Sequence, residues 1–379
     1  MQSITEKFGA PPSLPFCPPA KIPPSLREMT LNITVSTPMA GGGVEPGEVD
    51  VKRPVRVPSV KGHLRYWWRM INLHSPDKDA RESEIFGSTD SPGKVFFSIS
   101  EQPGVKLRYS NNNYEFGSYG PENYALFSLK QNGNNIAREN FSFTLSIRYP
   151  ENYHDDVRLA LSAWIYFGGI GARIRRGCGS LSCDKNPSSL GEILRAAPHI
   201  KLWRKKPGGS DPVSAWSEAV KNYRDYRQSK DGGKFGRSQW PEADSIRQIT
   251  GKPIKTPARS PLPSFPRAAL GMPIIFHFTG RGQPNDAAIT PDVKDSSRMA
   301  SPVITKALFD NGTWYSAVII LPHDDIFDIP LKINGREYNL KPVRGTIYRN
   351  TKPMQGEIDA ISGFEKYISG KHFTKEGAR

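Results

Sequence analysis

The chain has 379 residues, of which 37% are hydrophobic and 10% aromatic, as in a globular protein. No apolar run reaches the roughly 20 residues that a bilayer requires, which argues against a membrane protein. Its 52 lysines and arginines exceed its 37 acids by 15, and a soluble protein this basic usually binds a polyanion. The length predicts two domains, and the pattern of elements described below predicts an α+β fold.

Three cysteines, Cys17, Cys178 and Cys183, are too few for a disulfide scaffold, and their spacing does not fit a zinc site. The first residues also lack the basic and apolar segments of a signal peptide. We therefore expect a reduced, cytoplasmic protein that needs neither a metal nor a cofactor and has no membrane partner.

The N-terminal part of the chain begins with an irregular segment. Residues 1–27 contain seven prolines between Pro11 and Pro24, which disfavours regular pairing. Apolar and polar residues then alternate from Met29, which predicts a half-buried strand. After a glycine-rich loop, Pro58-Ser59 predicts the start of a helix at about residues 60–73, with Ser59 as its N-cap.

This first helix has two distinct faces. Its apolar residues recur at helical spacing and predict a buried face, in which Trp67 and Trp68 belong to the core and are not platforms for bases. The apolar residues are Val60, Leu64, Trp67, Trp68 and Ile71. Three basic residues at i, i+4 and i+8 form a separate basic stripe: Lys61, Arg65 and Arg69.

The elements that follow complete a ferredoxin-like pattern. Strands are predicted at 94–100 and 141–149, a helix at 155–167 and a short strand at 180–183. The order strand, helix, strand, strand, helix, strand is that of the split βαβ arrangement. It defines an N-terminal ferredoxin-like domain at 28–187.

The rest of the chain, 188–379, predicts a second α+β domain, also ferredoxin-like. Its predicted helices lie near 190–197, 213–227, 241–249 and 357–368. Its predicted strands lie near 273–278, 302–309 and 314–321. A proline-rich linker is predicted at 252–266.

Positive charge is segregated along the sequence, as expected for a protein that binds a phosphate backbone. Three segments contain no acid: 51–76, 157–183 and 251–285. The basic residues of the first segment are Lys52, Arg53, Arg56, Lys61, Arg65 and Arg69. A basic but merely solvated surface is the alternative.

The most specific motif is the glycine–arginine loop, residues 168–179, with five glycines. Gly177 and Gly179 could let the backbone, together with the adjoining Ser180, approach a ligand closely. Arginines 173, 175 and 176 could bind phosphate in bidentate fashion. The loop lacks the Gly-Lys-Ser/Thr of a P-loop, and it follows a helix, unlike a dinucleotide fingerprint. A flexible surface loop is the alternative.

Several motifs, in order along the chain, resemble those of the RAMP superfamily, and most closely those of the first RAMP subunits of type III-B (Cmr) CRISPR effector complexes. The matching segments are 37–39 with the glycines after them, 52–54, 58–62, 64–69, 85–88, 168–180, 240–242, 244–247, Arg298 and 301–302. The segments 1–27 and about 104–140 carry no such match.

The resemblance implies two ferredoxin-like RAMP domains and a non-catalytic subunit in antiviral defence. It implies a place near the 3′ part of the CRISPR RNA, where the subunit helps to engage complementary target RNA beside other Cmr RAMP subunits. It places RNA-facing residues within 52–69 and 173–180.

An enzyme remains an alternative at this stage. RAMP relatives that process CRISPR RNA commonly use a histidine, and His63 is the one histidine in a basic context. Acids lie in the loop after the first strand, at Glu45, Glu48 and Asp50, and again at 324–328 beside His323. Solvated turns explain both groups more simply. The open hypotheses are a structural RNA-binding subunit, a RAMP endoribonuclease that matures CRISPR RNA, and an unrelated basic RNA-binding protein.

Overall fold

The computed structural model describes residues 26–45, 47–100, 102–110, 113–114, 120–131, 134–207, 210–232, 236–254, 256–345 and 349–377. The predicted irregular lead-in lies outside these ranges up to residue 25, and its last two residues already belong to the first strand.

Both halves of the chain contain helices and strands. The strands are β1 (Leu26–Val35), β2 (Met39–Ala40), β3 (Phe96–Ser100), β4 (Leu107–Ser110), β5 (Asn113–Tyr114), β6 (Ile136–Ala137), β7 (Phe141–Pro150), β8 (Leu181–Ser182), β9 (Lys201–Lys205), β10 (Ile274–Phe276), β11 (Ala287–Pro291), β12 (Val303–Asp310), β13 (Thr313–Ile320), β14 (Leu331–Ile333), β15 (Arg336–Leu340) and β16 (Thr374–Glu376). The α-helices are α1 (Val57–Ile71), α2 (Lys78–Phe86), α3 (Pro121–Gln131), α4 (His154–Phe167), α5 (Leu190–Ala196), α6 (Pro212–Arg227), α7 (Glu242–Ile249) and α8 (Ala360–Ser369).

The first sheet has the strand order β3-β7-β1-β8, and every neighbouring pair in it is antiparallel. With α1 after the first strand and α4 after the third, this is the order of the ferredoxin-like fold predicted from the sequence. Ile33 lies opposite Phe143 and Leu31 opposite Leu145, so the alternating apolar residues point to one buried face. The predicted strands and helices of this half are confirmed to within a few residues.

The start of α1 differs from the prediction. The helix begins at Val57, its N-cap is Arg56, and no side chain caps it. Pro58 therefore lies in the first turn, where the missing N–H costs nothing. The prediction of Ser59 as N-cap was wrong, because Pro58 is itself part of the helix.

The second sheet repeats the order of the first. It runs β12-β13-β9-β16, with α6 after its first strand in sequence and α8 before its last. The α+β class is thus confirmed. The sequence analysis missed β9 and β16, whose residues are largely charged. An insertion between α6 and β12 contains the stretch predicted as a linker and two strands of a third sheet, β10-β11-β14-β15.

The two sheets share hydrophobic contacts. One buried cluster joins Ile33 and Trp164 of the first half to Ile304, Leu308 and Ile319 of the second. Both Trp67 and Trp68 belong to this cluster, at 2% and 1% exposure, which confirms their predicted place in the core. The domain division at residue 188 stays a prediction. In the described part of the chain, no helix combines the length and apolar character needed to cross a bilayer.

Candidate nucleic-acid interface

Hydrogen bonds hold the glycine–arginine loop together and join it to the segment between β1 and β2. The Ile170 amide donates to the Gly179 carbonyl at 2.9 Å, and the Gly179 amide donates to Pro38 at the same distance. Thr37 links the loop further, since its hydroxyl donates to the Gly177 carbonyl at 2.6 Å and accepts from the Ser180 amide at 2.8 Å. The loop is therefore an integral part of the fold.

Its glycines are required by the packing of the protein itself. Gly177 has a φ of +73°, and a Cβ there would lie 2.5 Å from the Thr305 carbonyl oxygen and from the Trp216 ring. Gly179 has a φ of +64°, and a Cβ there would overlap the Ile170 carbonyl. The sequence analysis expected these glycines to admit a ligand. In the structure the atoms that approach them are those of the chain itself.

The three arginines of the loop donate to carbonyls outside it. Arg173 donates to the Ala125 carbonyl at 2.8 Å, and burial lowers the pKa of its guanidinium. Arg175 donates to the Ser301 carbonyl and, at 3.3 Å, to the Tyr66 hydroxyl.

Arg176 is the most buried of the three, at 9% exposure. It donates to the Val303 carbonyl at 3.1 Å and to the Tyr223 hydroxyl at 2.8 Å, and its guanidinium lies 4.0 Å from the Tyr223 ring centroid. The loop thus connects the two halves of the chain, and its predicted contacts with RNA stay a prediction.

The basic stripe of α1 is partly neutralised. Arg65 and Arg69 both bind the carboxylate of Glu82 on α2, whose side chain is only 4% exposed. Burial would raise the pKa of Glu82, but the two guanidiniums outweigh it and hold the pKa below its ordinary value. Lys61, the third residue of the stripe, instead lines a cavity of about 400 Å³ against the turn at 87–93.

The segment before α1 presents exposed charge. The side chains of Lys52, Arg53 and Arg56 are all exposed. The amides of Lys52 and Arg53 donate to the Asp50 carboxylate at 2.9 and 3.0 Å, and these bonds, that from Arg53 first, lower the pKa of Asp50. Asp50 therefore shapes the turn that carries Lys52 and Arg53, and Arg56 follows at the N-cap of α1.

The candidate catalytic groups have structural contacts of their own. His63 lies 6.1 Å from Trp164, centroid to centroid, in a stacked arrangement, and burial lowers its pKa to about 4. Asp324 is bound by Arg344 at 2.7 Å, and the His323 ring meets the Leu321 carbonyl at 2.8 Å. Within the described ranges, no group of three or more histidine, cysteine or acidic side chains is arranged to hold a metal ion.

A strongly basic cleft, which the sequence analysis did not foresee, lies beside the glycine–arginine loop. It has a volume of about 780 Å³ and opens between the glycine–arginine loop, α3, α6 and the segments around 270–275 and 298–301. No acid is among the described residues that line it. We call it the six-arginine cleft, after Arg173, Arg176, Arg224, Arg227, Arg267 and Arg298.

Only some of these arginines have a carboxylate partner in the structure. Arg224 binds Asp225 at 2.7 Å, and Arg267 binds Glu242 at 3.0 Å. Arg227 donates to the Gly271 carbonyl at 2.8 Å, and Arg298 is exposed, with no described side-chain partner.

The pKa of Tyr124 reflects the positive charge of this cleft. Burial would raise the pKa of its phenol, but Arg227, Arg176 and Arg173 outweigh that effect and lower the pKa. Two apolar side chains on the lining are also exposed, Phe127 at 58% and Ile275 at 62%. Positively charged grooves with aromatic side chains also occur in proteins that bind single-stranded nucleic acid.

Known proteins similar to this chain agree with the family resemblance of its sequence motifs. Residues 32–182 match the sequence model of the RAMP superfamily, and they span the first ferredoxin-like sheet with its two helices. The match confirms, over these residues, the resemblance to the RAMP superfamily seen in the sequence.

The particular relatives are subunits of Cmr complexes. Over 151 residues the chain is 28% identical to CRISPR system Cmr subunit Cmr1-1 of Pyrococcus furiosus, a match that covers 37% of this chain and only 44% of that protein. The crystal structure of apo Cmr1 from Pyrococcus furiosus has the same fold, with a TM-score of 0.52 at 18% identity over 93% of this chain and 99% of that one. A chain of type III-B Cmr-beta bound to cognate target RNA aligns with a TM-score of 0.47 at 12% identity, over 91% of this chain and 100% of that one.

Proposed function

We propose that this chain is a non-catalytic, RNA-binding subunit of a type III-B (Cmr) CRISPR interference complex. In that complex it lies near the 3′ part of the CRISPR RNA and helps to engage target RNA, beside other RAMP subunits in the cytoplasm. The RAMP domain and the similarity to Cmr1 support the assembly. The six-arginine cleft is the observation that carries the RNA-binding role.

Carboxylates of the chain compensate only part of the positive charge in the cleft. A cation removed from water is costly unless an anion pairs with it. The half-buried Arg173 and the buried Arg176 donate to carbonyl and phenol oxygens, which carry no full negative charge. An RNA backbone supplies the missing anions, and its binding releases counterions from the strand. Arg298 completes the cleft with an exposed guanidinium that can reach a phosphate without breaking a described contact.

The exposed cations before α1 are a second place for phosphate. Lys52 and Arg53 lie on a turn that Asp50 holds in place, and Arg56 follows at the N-cap of α1. They match the segment that the resemblance assigns to RNA. Arg65 and Arg69, in contrast, already neutralise Glu82, so they are poorer candidates for phosphate contacts.

The salt dependence of RNA binding tests the cleft. We expect Arg298→Ala to flatten the slope of log affinity against log salt by about 0.7, the value for one lost phosphate contact on a single strand. Arg281→Ala is the matched control, because Arg281 is exposed and does not line the cleft. Equal slopes for the wild type and Arg298→Ala would place the RNA elsewhere.

Assembly and catalysis are tested separately. Purification from native cells should recover the chain with other Cmr subunits and a CRISPR RNA. Incubation of the pure protein with CRISPR repeat RNA tests the alternative function, since site-specific cleavage would make the chain a processing endoribonuclease. Loss of that cleavage in His63→Ala would then assign the histidine.

A further inference from the structure

A further cavity lies beside the glycine–arginine loop, and its lining is mostly apolar. It has a volume of about 420 Å³, within the range of small-molecule pockets. We call it the α1 pocket, because most of its wall is that helix. Its lining includes Pro58, His63, Tyr66, Trp67, Phe167 and Ile304.

Gly62, in the middle of α1, also lines this pocket and is exposed. A glycine inside a helix lowers stability relative to alanine, so its presence needs a reason. The fold of the chain supplies none: the backbone has no positive φ there, and a Cβ would meet nothing within 4 Å. This contrasts with Gly177, where the packing of the protein excludes a Cβ. The space above Gly62 is therefore open in the chain alone and available to a flat ligand that approaches the helix closely.

The polar groups of the pocket suit an uncharged, planar ligand. Burial lowers the pKa of His63 to about 4, so the imidazole is neutral at physiological pH. Arg175 lines the pocket as its single charged group among the described residues, and two of its five N–H donors are used by Ser301 and Tyr66. The remaining donors can bind a carbonyl oxygen at the edge of a base.

The surroundings of the pocket are basic. Arg56 and Lys61 flank Pro58 and Gly62 in the sequence, in a segment, 51–76, that contains no acid. Arg175 also connects the pocket to the six-arginine cleft, since its partner Ser301 lines that cleft. A single RNA strand can thus keep its phosphates on the cations and turn one base inward.

We infer that the α1 pocket binds one unstacked nucleobase of the RNA, between the Gly62 face of α1 and the glycine–arginine loop. This inference rests on the proposed RNA-binding function and adds a site for a base to a surface that otherwise contacts phosphate. The partly exposed rings of Tyr66 and His63 supply stacking, the apolar lining supplies burial, and Arg175 supplies a hydrogen bond.

The test compares two probes that differ only in their bases. One is a fluorescently labelled oligouridylate of about 12 nucleotides, a length within the usual site size of a single-strand-binding fold. The other is an abasic oligomer of the same length, which keeps every phosphate. We expect the wild type to bind the oligouridylate about tenfold more tightly, as one base–aromatic contact predicts.

Substitutions at Gly62 should remove that difference. Gly62→Leu fills the pocket, so we expect a roughly tenfold loss of affinity for the oligouridylate and no change for the abasic oligomer. Gly62→Ala should weaken oligouridylate binding less, while its melting temperature rises because alanine favours the helix. Gly191→Ala in α5 is the matched control. A Cβ at Gly191 meets only the Arg195 guanidinium, at an ordinary contact distance, and Gly191 lines a different cavity.

Each result is decisive. Equal affinity of the wild type for the two oligomers, or unchanged oligouridylate binding by both Gly62 variants, would overturn the inference while leaving the proposed function intact. Failure of the wild type to bind either oligomer would refute the proposed function itself. A Gly62→Leu protein that binds oligouridylate normally, yet no longer joins the other subunits, would make the pocket a protein interface and overturn the inference.

Discussion

We expect the buried Lys306 to give the folding stability of this protein an unusual dependence on pH. This lysine lies on β12, is fully buried, and donates to the Ile165 and Gly168 carbonyls at 3.0 and 2.8 Å, at the C-terminal end of α4. Burial disfavours the ammonium form and lowers the pKa of Lys306 from 10.5 to about 7. Lys306→Met keeps a similar apolar volume and removes the titrating group.

The direction of this pH dependence follows from the number of protons that the folded and unfolded chains bind. Between pH 7 and 10.5 the unfolded chain holds this proton and the folded chain does not, so stability rises with pH in that window. The shift of about 3.5 units corresponds to roughly 5 kcal/mol in all, or about 1.4 kcal/mol per pH unit. This is an upper bound, because carbonyls at a helix C-terminus favour the cation.

Denaturant unfolding at several pH values measures the effect. From pH 7.5 to 9 we expect the wild type to gain up to about 2 kcal/mol more stability than Lys306→Met. The unpaired carbonyls left by the substitution shift its stability at every pH, so the slope alone is diagnostic. Lys294→Met, at an exposed lysine, should keep the wild-type slope. Parallel profiles for the wild type and Lys306→Met would show that the buried amine keeps its proton throughout, and the reasoning would fail.

Three further predictions concern the fold and the basic stripe. Gly177→Val should lower the melting temperature sharply, or prevent folding, because its Cβ meets the main chain of β12 at a positive φ; a normal melt with weakened RNA binding would restore a ligand role for this glycine. Trp68→Ala should cost about 3–5 kcal/mol of unfolding free energy as a large-to-small core change, measured by denaturant titration, and an unchanged midpoint would make the indole a surface platform. The double variant Arg65→Ala/Arg69→Ala leaves the buried Glu82 carboxylate unpaired and should cost about 1–3 kcal/mol, since both arginines are partly exposed and water screens the pair. Full stability with a flatter salt slope in RNA binding would return both arginines to the RNA surface.

Local patterns made much of the first half predictable. The helical spacing of Val60, Leu64, Trp67 and Trp68 identified the buried face of α1, and alternation identified β1 and β7, because both patterns reflect a single buried side. Strands β9 and β16 were missed because their charged side chains pair across the sheet. Arg204 of β9, for example, binds Glu376 of β16 at 2.7 Å.

The functional surface was less predictable, because tertiary pairing decides it. The spacing of Arg65 and Arg69 showed that they share a face, but nothing local showed that both would bind the single carboxylate of Glu82. Gly177 was correctly expected to need an unusual backbone conformation. The residue that packs against it, Thr305, lies far along the chain, so the sequence around Gly177 could not identify it. The six-arginine cleft combines the glycine–arginine loop with α6 and an insertion, and no window of sequence contains it.

The pairing of β9 also bears on how the chain is made. Residues 201–205 form hydrogen-bonded pairs with residues 316–320 and 374–376, so this central strand leaves the ribosome long before either neighbour exists. At ordinary synthesis rates the wait for its last partner is roughly 10–35 seconds. Such distant pairing slows folding and leaves both edges of the strand open to other chains. We therefore expect the second half of the molecule to depend on chaperones during synthesis, and co-expression with them to raise the soluble yield.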